Sequence, residues 1–434
     1  MTRHIVARWY VLAVLTLVYA LNIADRFVVS TVLEPIRLEL RLSDAETALL
    51  TGVALALFYV TIGLPMATFA DRSHRRNIVA GALAVWSAMT ALCGLAHGVW
   101  QFLLARFGVG IGEAGGTPPS TSMLADTFPP LQRPTAFTIY ALGAPLGAWL
   151  GSALAGTLAG RFGWRMAFLA LGFPGLVVAA LLLVTVREPA RGRFDGPPNT
   201  QTTPTPGLLE TTRYLLTHRS ALHLVAGGTI ATLWAWGLMW WTPAFLMRVH
   251  GLSVGQSGAL LGRMHLVGGI AGTIATSIAV KPTIARDSRR VVWLMAAVIA
   301  VATIPSIFAY WTSSLTLATW SLWIVVPAVY FFIGPTLGLL QNVVPTAMRA
   351  QAVAVLLFSA NVANLIIAPQ LIGLASDALA GRLGGNGASL RAALLVLAPT
   401  GFWAAYHYWA SARRLREDEA LIFESSQNSG SNHR

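Results

Sequence analysis

Two sets of ionisable residues stand inside long apolar runs: Asp25 beside Arg26, and Arg106 seven residues before Glu113. A charge at the centre of a bilayer-spanning helix costs about 2.5–3.5 kcal/mol on insertion scales, so such residues are functional candidates by default. Seven residues are close to two helical turns, which places Arg106 and Glu113 on one face. Desolvation disfavours the charged form of a carboxyl. A shielded carboxyl can therefore take a proton from one side of a membrane and give it up to the other, which is the chemistry of proton-coupled movement.

The rest of the chain is suited to lipid. Of its 434 residues, 55% are hydrophobic and 11% charged, with a mean hydropathy of +0.63. Soluble domains carry about 25% charged residues. The formal charge of +13 does not point to nucleic acid. The basic residues fall in short gaps between apolar runs and form no patch or aromatic-interleaved stripe. Cys93 is the single cysteine, so an internal disulfide is excluded and a thiolate metal cluster is not expected. Walker, dinucleotide, His-Glu-x-x-His and Gly-x-Ser-x-Gly signatures are missing, and Gly108-x-Gly110-x-Gly112 lies inside a span with no strand before it. No enzyme chemistry and no cofactor are expected.

A membrane helix needs about 20 mostly apolar residues. Such runs cover 9–31, 46–69, 77–97, 99–126, 134–160 and 166–186, then 221–247, 255–280, 291–310, 315–343, 350–374 and 390–411. The expected fold is an all-α membrane protein of twelve transmembrane helices in two pseudo-symmetric six-helix bundles. Residues 1–187 form the first bundle and 220–412 the second. Residues 188–219 are a Pro-rich cytoplasmic linker with a short helix near Leu208–Leu216, and 413–434 are a cytoplasmic tail expected to be disordered. The first run has no small-residue cleavage site and reads as a retained span. Basic residues crowd one side, as in Arg72, Arg75, Arg76, Arg187, Arg191, Arg289 and Arg290. That bias puts both termini in the cytoplasm, and the expected location is a bacterial inner membrane.

The halves repeat at an offset of 216 residues. Asp126-Thr-Phe-Pro129-x-x-x-Arg133 after span four matches Asn342-Val-Val-Pro345-x-x-x-Arg349 after span ten, and Asp71 matches Asp287. Repeats of this kind place a substrate path between them near the midplane. Asp25, two-thirds of the way out along span one, lies at the depth of Arg106 in span four, so these two can pair. Glu113 falls near the midplane without an evident partner. A static polar cluster locking spans one and four together is the bland alternative.

Arg263 in span eight either faces the cavity or snorkels outward. Asn22, Asn361 and Asn364 fit a cavity lining or helix-packing hydrogen bonds equally. Trp236, with Trp240 and Trp241, is a candidate wall for an apolar tail. Trp9, Trp100, Trp164, Trp311 and Trp409 sit near span ends like an aromatic belt. Asp71-Arg72-x-x-Arg75-Arg76 after span two, with Asp126 and Arg133, suits ion pairs that hold one conformation and break in another. A simple positive-inside anchor would use the same basic residues. Gly143, Gly147 and Gly151, then Ser152, Gly156 and Gly160, let helices approach closely.

The twelve-span layout and the Asp71-Arg72-x-x-Arg75-Arg76 loop resemble the major facilitator superfamily, with Ala67 and His74 where its usual loop has Gly. Within it the chain is similar to the Spinster-type lipid transporters. The residues that carry the likeness are Asn22-Ile-Ala-Asp25-Arg26-Phe27, Arg106 with Gly112-Glu113-Ala114, Ala125-Asp126-Thr-Phe128 and Arg187-Glu188-Pro189-Ala-Arg191-Gly192. The likeness is strong over the first 192 residues. It implies movement of lysophospholipid or sphingoid lipids with proton coupling, and Asp25, Arg106 and Glu113 in the coupling network.

The expected function is thus proton-coupled secondary transport of an amphiphilic lipid by alternating access. Its partners would be the lipid, protons and membrane lipids, with no nucleic acid, and the protein would act as a monomer. A proton-linked porter of a small organic anion or drug is the alternative, and a non-transporting membrane sensor is the remote one.

Overall fold

The computed structural model describes residues 2–53, 61, 73–191, 194 and 206–422. Asp71 and Arg72 of the expected gate loop lie outside them. Among the described residues every regular element is helical, and ten helices are long and apolar enough to cross a membrane. Of the two remaining expected spans, the second is described from Asp44 to Val53 and at Thr61. The fourth is split into Val99–Glu113 and Thr117–Thr127.

That split has a local cause. Gly115 and Gly116 precede Pro118 and Pro119, and prolines, which lack an N–H, are accepted at the first turn of a new helix but not inside an old one. Glu113 therefore ends a helix within the span. Span ten breaks in the same way, into Leu315–Val329 and Ile333–Asn342. Val329 matches Glu113 at the offset of 216 residues, so the two halves share this broken helix. Only the first half places a charge at the break.

A second feature repeats through the chain. The middle helix of each three-span set carries a π-helical turn: Leu49–Val53, Leu150–Leu154, Met264–Gly269 and Val362–Ile367. One extra residue per turn bends a helix and re-aims its side chains.

The contacts divide into two compact units. The first comprises Met1–Pro198, Met239–Ile270 and Pro369–Ala393; the second comprises Asn199–Leu238, Ala271–Ala368 and Leu394–Arg434. In the first unit, spans one and five touch at backbone distance. A Cβ on Gly143 would lie 2.9 Å from the Thr16 carbonyl, and Cβ atoms on Gly147 and Gly151 would run into the carbonyls of Ala20 and Ala24. Thr16, Ala20 and Ala24 recur every four residues, as the matching stripe on span one requires. Trp164 is not part of an aromatic belt. It is 4% exposed, donates from Nε1 to Glu39 at 2.7 Å, and packs edge-on against Phe102 and Phe168. Trp9, Trp100, Trp311 and Trp409 are exposed as expected.

In the second unit the linker helix spans Leu208–Thr217. Thr211 donates to Gln351 at 2.7 Å, and Tyr214 donates to the Val343 carbonyl at 3.1 Å. The tail expected to be disordered from residue 413 is helical over 415–422. Asp418 accepts from Ser220 and Glu419 accepts from Ser288 at 2.6 Å. Arg416 pairs with Asp287 at 2.9 Å. Each contact lies at the start of a span, where a sequence-based reading of polar tail composition has no signal.

A buried charge network and the family it identifies

Span one and span four meet through two ion pairs. Arg106 donates from Nη1 to Asp25 at 3.1 Å, with both side chains almost fully enclosed. Thr90 of span three donates to the other oxygen of Asp25. Asp25 and Arg106 are thus brought together as their matching depth implied, and Thr90 completes the site.

Glu113 is not without a partner. Arg26 donates from Nε at 3.0 Å and from Nη2 at 2.7 Å, both to Oε2 of Glu113. The error came from treating span four as one straight helix. Its break after Glu113 sets the carboxylate at the C-terminal end of Val99–Glu113, beside the negative end of that helix's dipole. Arg26 supplies the compensating charge. Being next to Asp25 on a helix, it points about 100° away, so one dipeptide serves two pairs. Asp25 and Arg106 also act electrostatically on Glu113, making one neutral network of four charges.

Two asymmetries mark the network. Oε1 of Glu113 is buried with no hydrogen-bond partner, as are Nε and Nη2 of Arg106. Glu113 is fully enclosed, whereas the Arg26 side chain is 15% exposed. Arg26 therefore presents part of a guanidinium to the surroundings while holding a carboxylate that water does not reach.

Among the other candidates in this first unit, Asn22 is buried. Arg263 is exposed on span eight and donates to the Ala259 carbonyl one turn earlier, at 3.2 Å. In the second unit, Asn361 donates back to the Leu357 carbonyl at 2.8 Å. Asn364 keeps a buried Oδ1 without a partner, and Trp236 stands edge-on to Tyr330 at 5.4 Å. Trp240 and Trp241 are buried in packing.

The described part of the loop cluster closes on itself within the first unit. Arg75 pairs with Asp126 at 2.5 Å and with Glu188 at 2.8 Å, and also donates to Ser122 and to the Pro189 carbonyl. Arg76 donates from its backbone to Glu188 at 2.8 Å. Arg133 donates to the carbonyls of Ala125 and Phe128. Glu188 was legible only as part of the Arg187-Glu188-Pro189 motif, and its partner Arg75 lies over a hundred residues away.

Residues 15–369 match the Major Facilitator Superfamily. The chain is 31% identical to an MFS-type efflux pump of Mycolicibacterium smegmatis over 94% of both chains. It is 28% identical to human protein spinster homolog 1, covering 85% of this chain and 73% of that one. A crystal structure of a bacterial homolog of the human lysosomal transporter Spinster, in an inward-facing and unoccupied conformation, superposes with a TM-score of 0.83. It is 31% identical, over 95% of this chain and 98% of that one. A split fourth span, two six-span halves that repeat at one offset and these likenesses lead to one conclusion: the chain is a multi-pass membrane transporter that belongs to the Major Facilitator Superfamily and resembles its Spinster members.

Proposed function

We propose that the protein is a proton-coupled secondary transporter of an amphiphilic lipid of the lysophospholipid or sphingoid type, working by alternating access. Both termini would face the cytoplasm of a bacterial inner membrane, and the protein would act as a monomer. The observation that carries this reading is the unequal pair formed by Arg26 and Glu113. Both hydrogen bonds that Arg26 gives to Glu113 go to Oε2, so a proton can add at the vacant Oε1 without first displacing an existing bond. Neutral Glu113 holds Arg26 by a weaker hydrogen bond than an ionised one. The part-exposed guanidinium can then turn to an anionic headgroup, for which Arg is suited by its fork of donors. Proton and anion thereby become linked through one arginine.

The roles of the other residues follow from their positions. Asp25 and Arg106, held with Thr90, keep span one in register against span four and tune the field at Glu113. Asn22 joins Arg26 as a polar lining, and Arg263, Asn361, Asn364 and Trp236 contact the substrate elsewhere along its path. Arg75, Arg76, Asp126 and Arg133 serve the cytoplasmic gate with Asp71 and Arg72.

A second reading is proton-linked export of a small organic anion or drug, which the likeness to an efflux pump favours. Flux into proteoliposomes under an imposed pH gradient separates the two. Lysophospholipid movement that responds to the gradient supports lipid transport. Gradient-driven movement of small anions, with none of lysophospholipid, favours the second reading.

A further inference from the structure

Spans seven and twelve meet through two histidines, at the end of the second unit that carries the linker helix and the tail. Nδ1 of His223 and Nδ1 of His407 are 2.9 Å apart, a hydrogen-bonding distance. Such a bond needs one proton between the rings, so one donates and the other accepts. The accepting ring, when neutral, carries its own hydrogen on Nε2, and the donating ring keeps a bare Nε2. The pair can therefore gain one proton at that bare nitrogen and become a cation with the bond between the rings intact. Arg219 is one turn before His223 on span seven, and Arg413 follows just after the end of span twelve. Both arginines are exposed, and both act electrostatically on His223. Asp418 of the tail comes close to this point as well, and its carboxylate is taken up by Ser220. Aromatic rings continue the patch. Tyr406 stands perpendicular to His223 with ring centres 6.4 Å apart, and Trp409 is 6.3 Å from Tyr406. The Arg413 guanidinium lies over Trp409, 4.3 Å from the ring centre. Trp403, Tyr406 and Trp409 are exposed, whereas Tyr408 is buried against Thr336.

We propose that this patch binds the headgroup of an anionic phospholipid, with Arg219 and Arg413 on the phosphate and the histidine pair as an adjustable donor beside them. The inference goes beyond the transport reading and depends on neither the transported substrate nor Glu113. Three features support it. First, two guanidinium groups and a ring pair that accepts one proton favour an anion, and the same field opposes a metal ion. Two ring nitrogens also fall short of the four ligands of a structural zinc site, and no group of three ligating side chains occurs among the described residues. Second, basic residues at the end of a membrane span lie at headgroup depth, and basic pockets between spans hold acidic headgroups there. Third, exposed Trp and Tyr side chains near a span end sit at the level where an acyl chain meets its headgroup. A lipid can therefore cover Trp403 and Tyr406 with its chains while its phosphate reaches the arginines. A small soluble anion would leave those rings uncovered, so the patch fits the lipid better.

The test is native mass spectrometry of the full chain, released from vesicles of phosphatidylglycerol and phosphatidylcholine in equal amounts. Wild type should retain phosphatidylglycerol in preference to phosphatidylcholine. Arg219→Gln with Arg413→Gln should lower that preference roughly tenfold, because each arginine near a membrane surface adds several-fold to the affinity for an anionic headgroup. His407→Gln breaks the ring pair but leaves both arginines, and should lower it by a smaller factor. Arg213→Gln with Arg290→Gln removes the same charge from two other exposed positions of the second unit and should leave the preference as in wild type. Excess inorganic phosphate should not displace the lipid. A wild-type preference in the Arg219–Arg413 variant, equal losses in the two double variants, or displacement by phosphate would each overturn the proposal. If the Arg219–Arg413 variant does not fold, His407→Gln decides, and a wild-type preference there overturns it equally. Because no flux is measured, either failure leaves the substrate and proton assignments where they stand.

Discussion

Arg26 spends two donors on one oxygen of Glu113 and leaves the other oxygen, buried, with no partner. This geometry separates two jobs that a bidentate pair would merge. One oxygen holds the arginine, and the other is vacant for a proton. Arg26→Lys keeps the charge but offers one compact donor group in place of the fork. It should weaken binding of an anionic lysophospholipid about tenfold, with little change for an analogue that lacks the anionic group. Equilibrium binding in detergent checks this, and equal losses for both ligands would remove Arg26 from headgroup recognition.

Arg106 is enclosed as completely as a side chain can be, yet only Nη1 has a partner. Arg106→Met alone strands Asp25 and should cost about 3–5 kcal/mol. Adding Asp25→Leu should recover most of that loss, since it removes the stranded charge as well. A double-mutant cycle read by thermal unfolding measures the coupling. Additive losses would mean that the two side chains do not act as a pair.

The part of this site that could be read from sequence was the part set by depth alone. Asp25 and Arg106 lie at matching heights in neighbouring antiparallel spans, and that suffices to join them. The Arg26–Glu113 pair depends on the break at Gly115–Gly116, which changes the direction in which Glu113 points. Gly115-Gly116 ahead of Pro118-Pro119 marks the break in the sequence, but not the direction in which it turns Glu113. Thr90 was missed for another reason: it is a polar residue without periodic or motif signal, recruited by Asp25, distant in sequence. Glu188 stands in a motif, but nothing in that motif points to Arg75. The broken fourth and tenth spans, by contrast, follow the repeat offset that the loops at Asp126 and Asn342 had already shown.

Close packing of spans one and five gives a sharp contrast between glycines. Gly147→Val drives its side chain into the Ala20 carbonyl and the Ile23 side chain and should cost about 1–3 kcal/mol. Gly81, in the interior of span three, faces open space, so Gly81→Ala should be neutral or stabilising by up to about 1 kcal/mol. Thermal unfolding of the two variants should differ in sign or clearly in size. Equal shifts would mean that spans one and five are not in backbone contact.

The docked tail should resist mild acid. Hydrogen bonding from the Arg289 side chain, with Arg416 adding its charge, holds the carboxyl of Asp287 below the usual aspartate range. A depressed value contributes stability that is present above the ordinary aspartate pKa and lost only as pH falls through the lowered one. Hydrogen exchange of residues 415–422, scaled for the intrinsic rate, should therefore be flat between pH 5 and 8. Asp287→Asn should speed it at every pH in that window. A rise in wild-type exchange on going from pH 8 to 5 would show that another group controls docking.

The most direct test of proton coupling is flux through Glu113→Gln in proteoliposomes with the pH gradient set across the membrane. Gln keeps the size of the side chain and an acceptor for Arg26 but cannot gain or lose a proton. Wild type should move lysophospholipid at a rate that tracks the gradient. The variant, folded and inserted to the same extent, should move it at a rate indifferent to the gradient. A variant whose rate follows the gradient as wild type does would contradict the coupling role of Glu113.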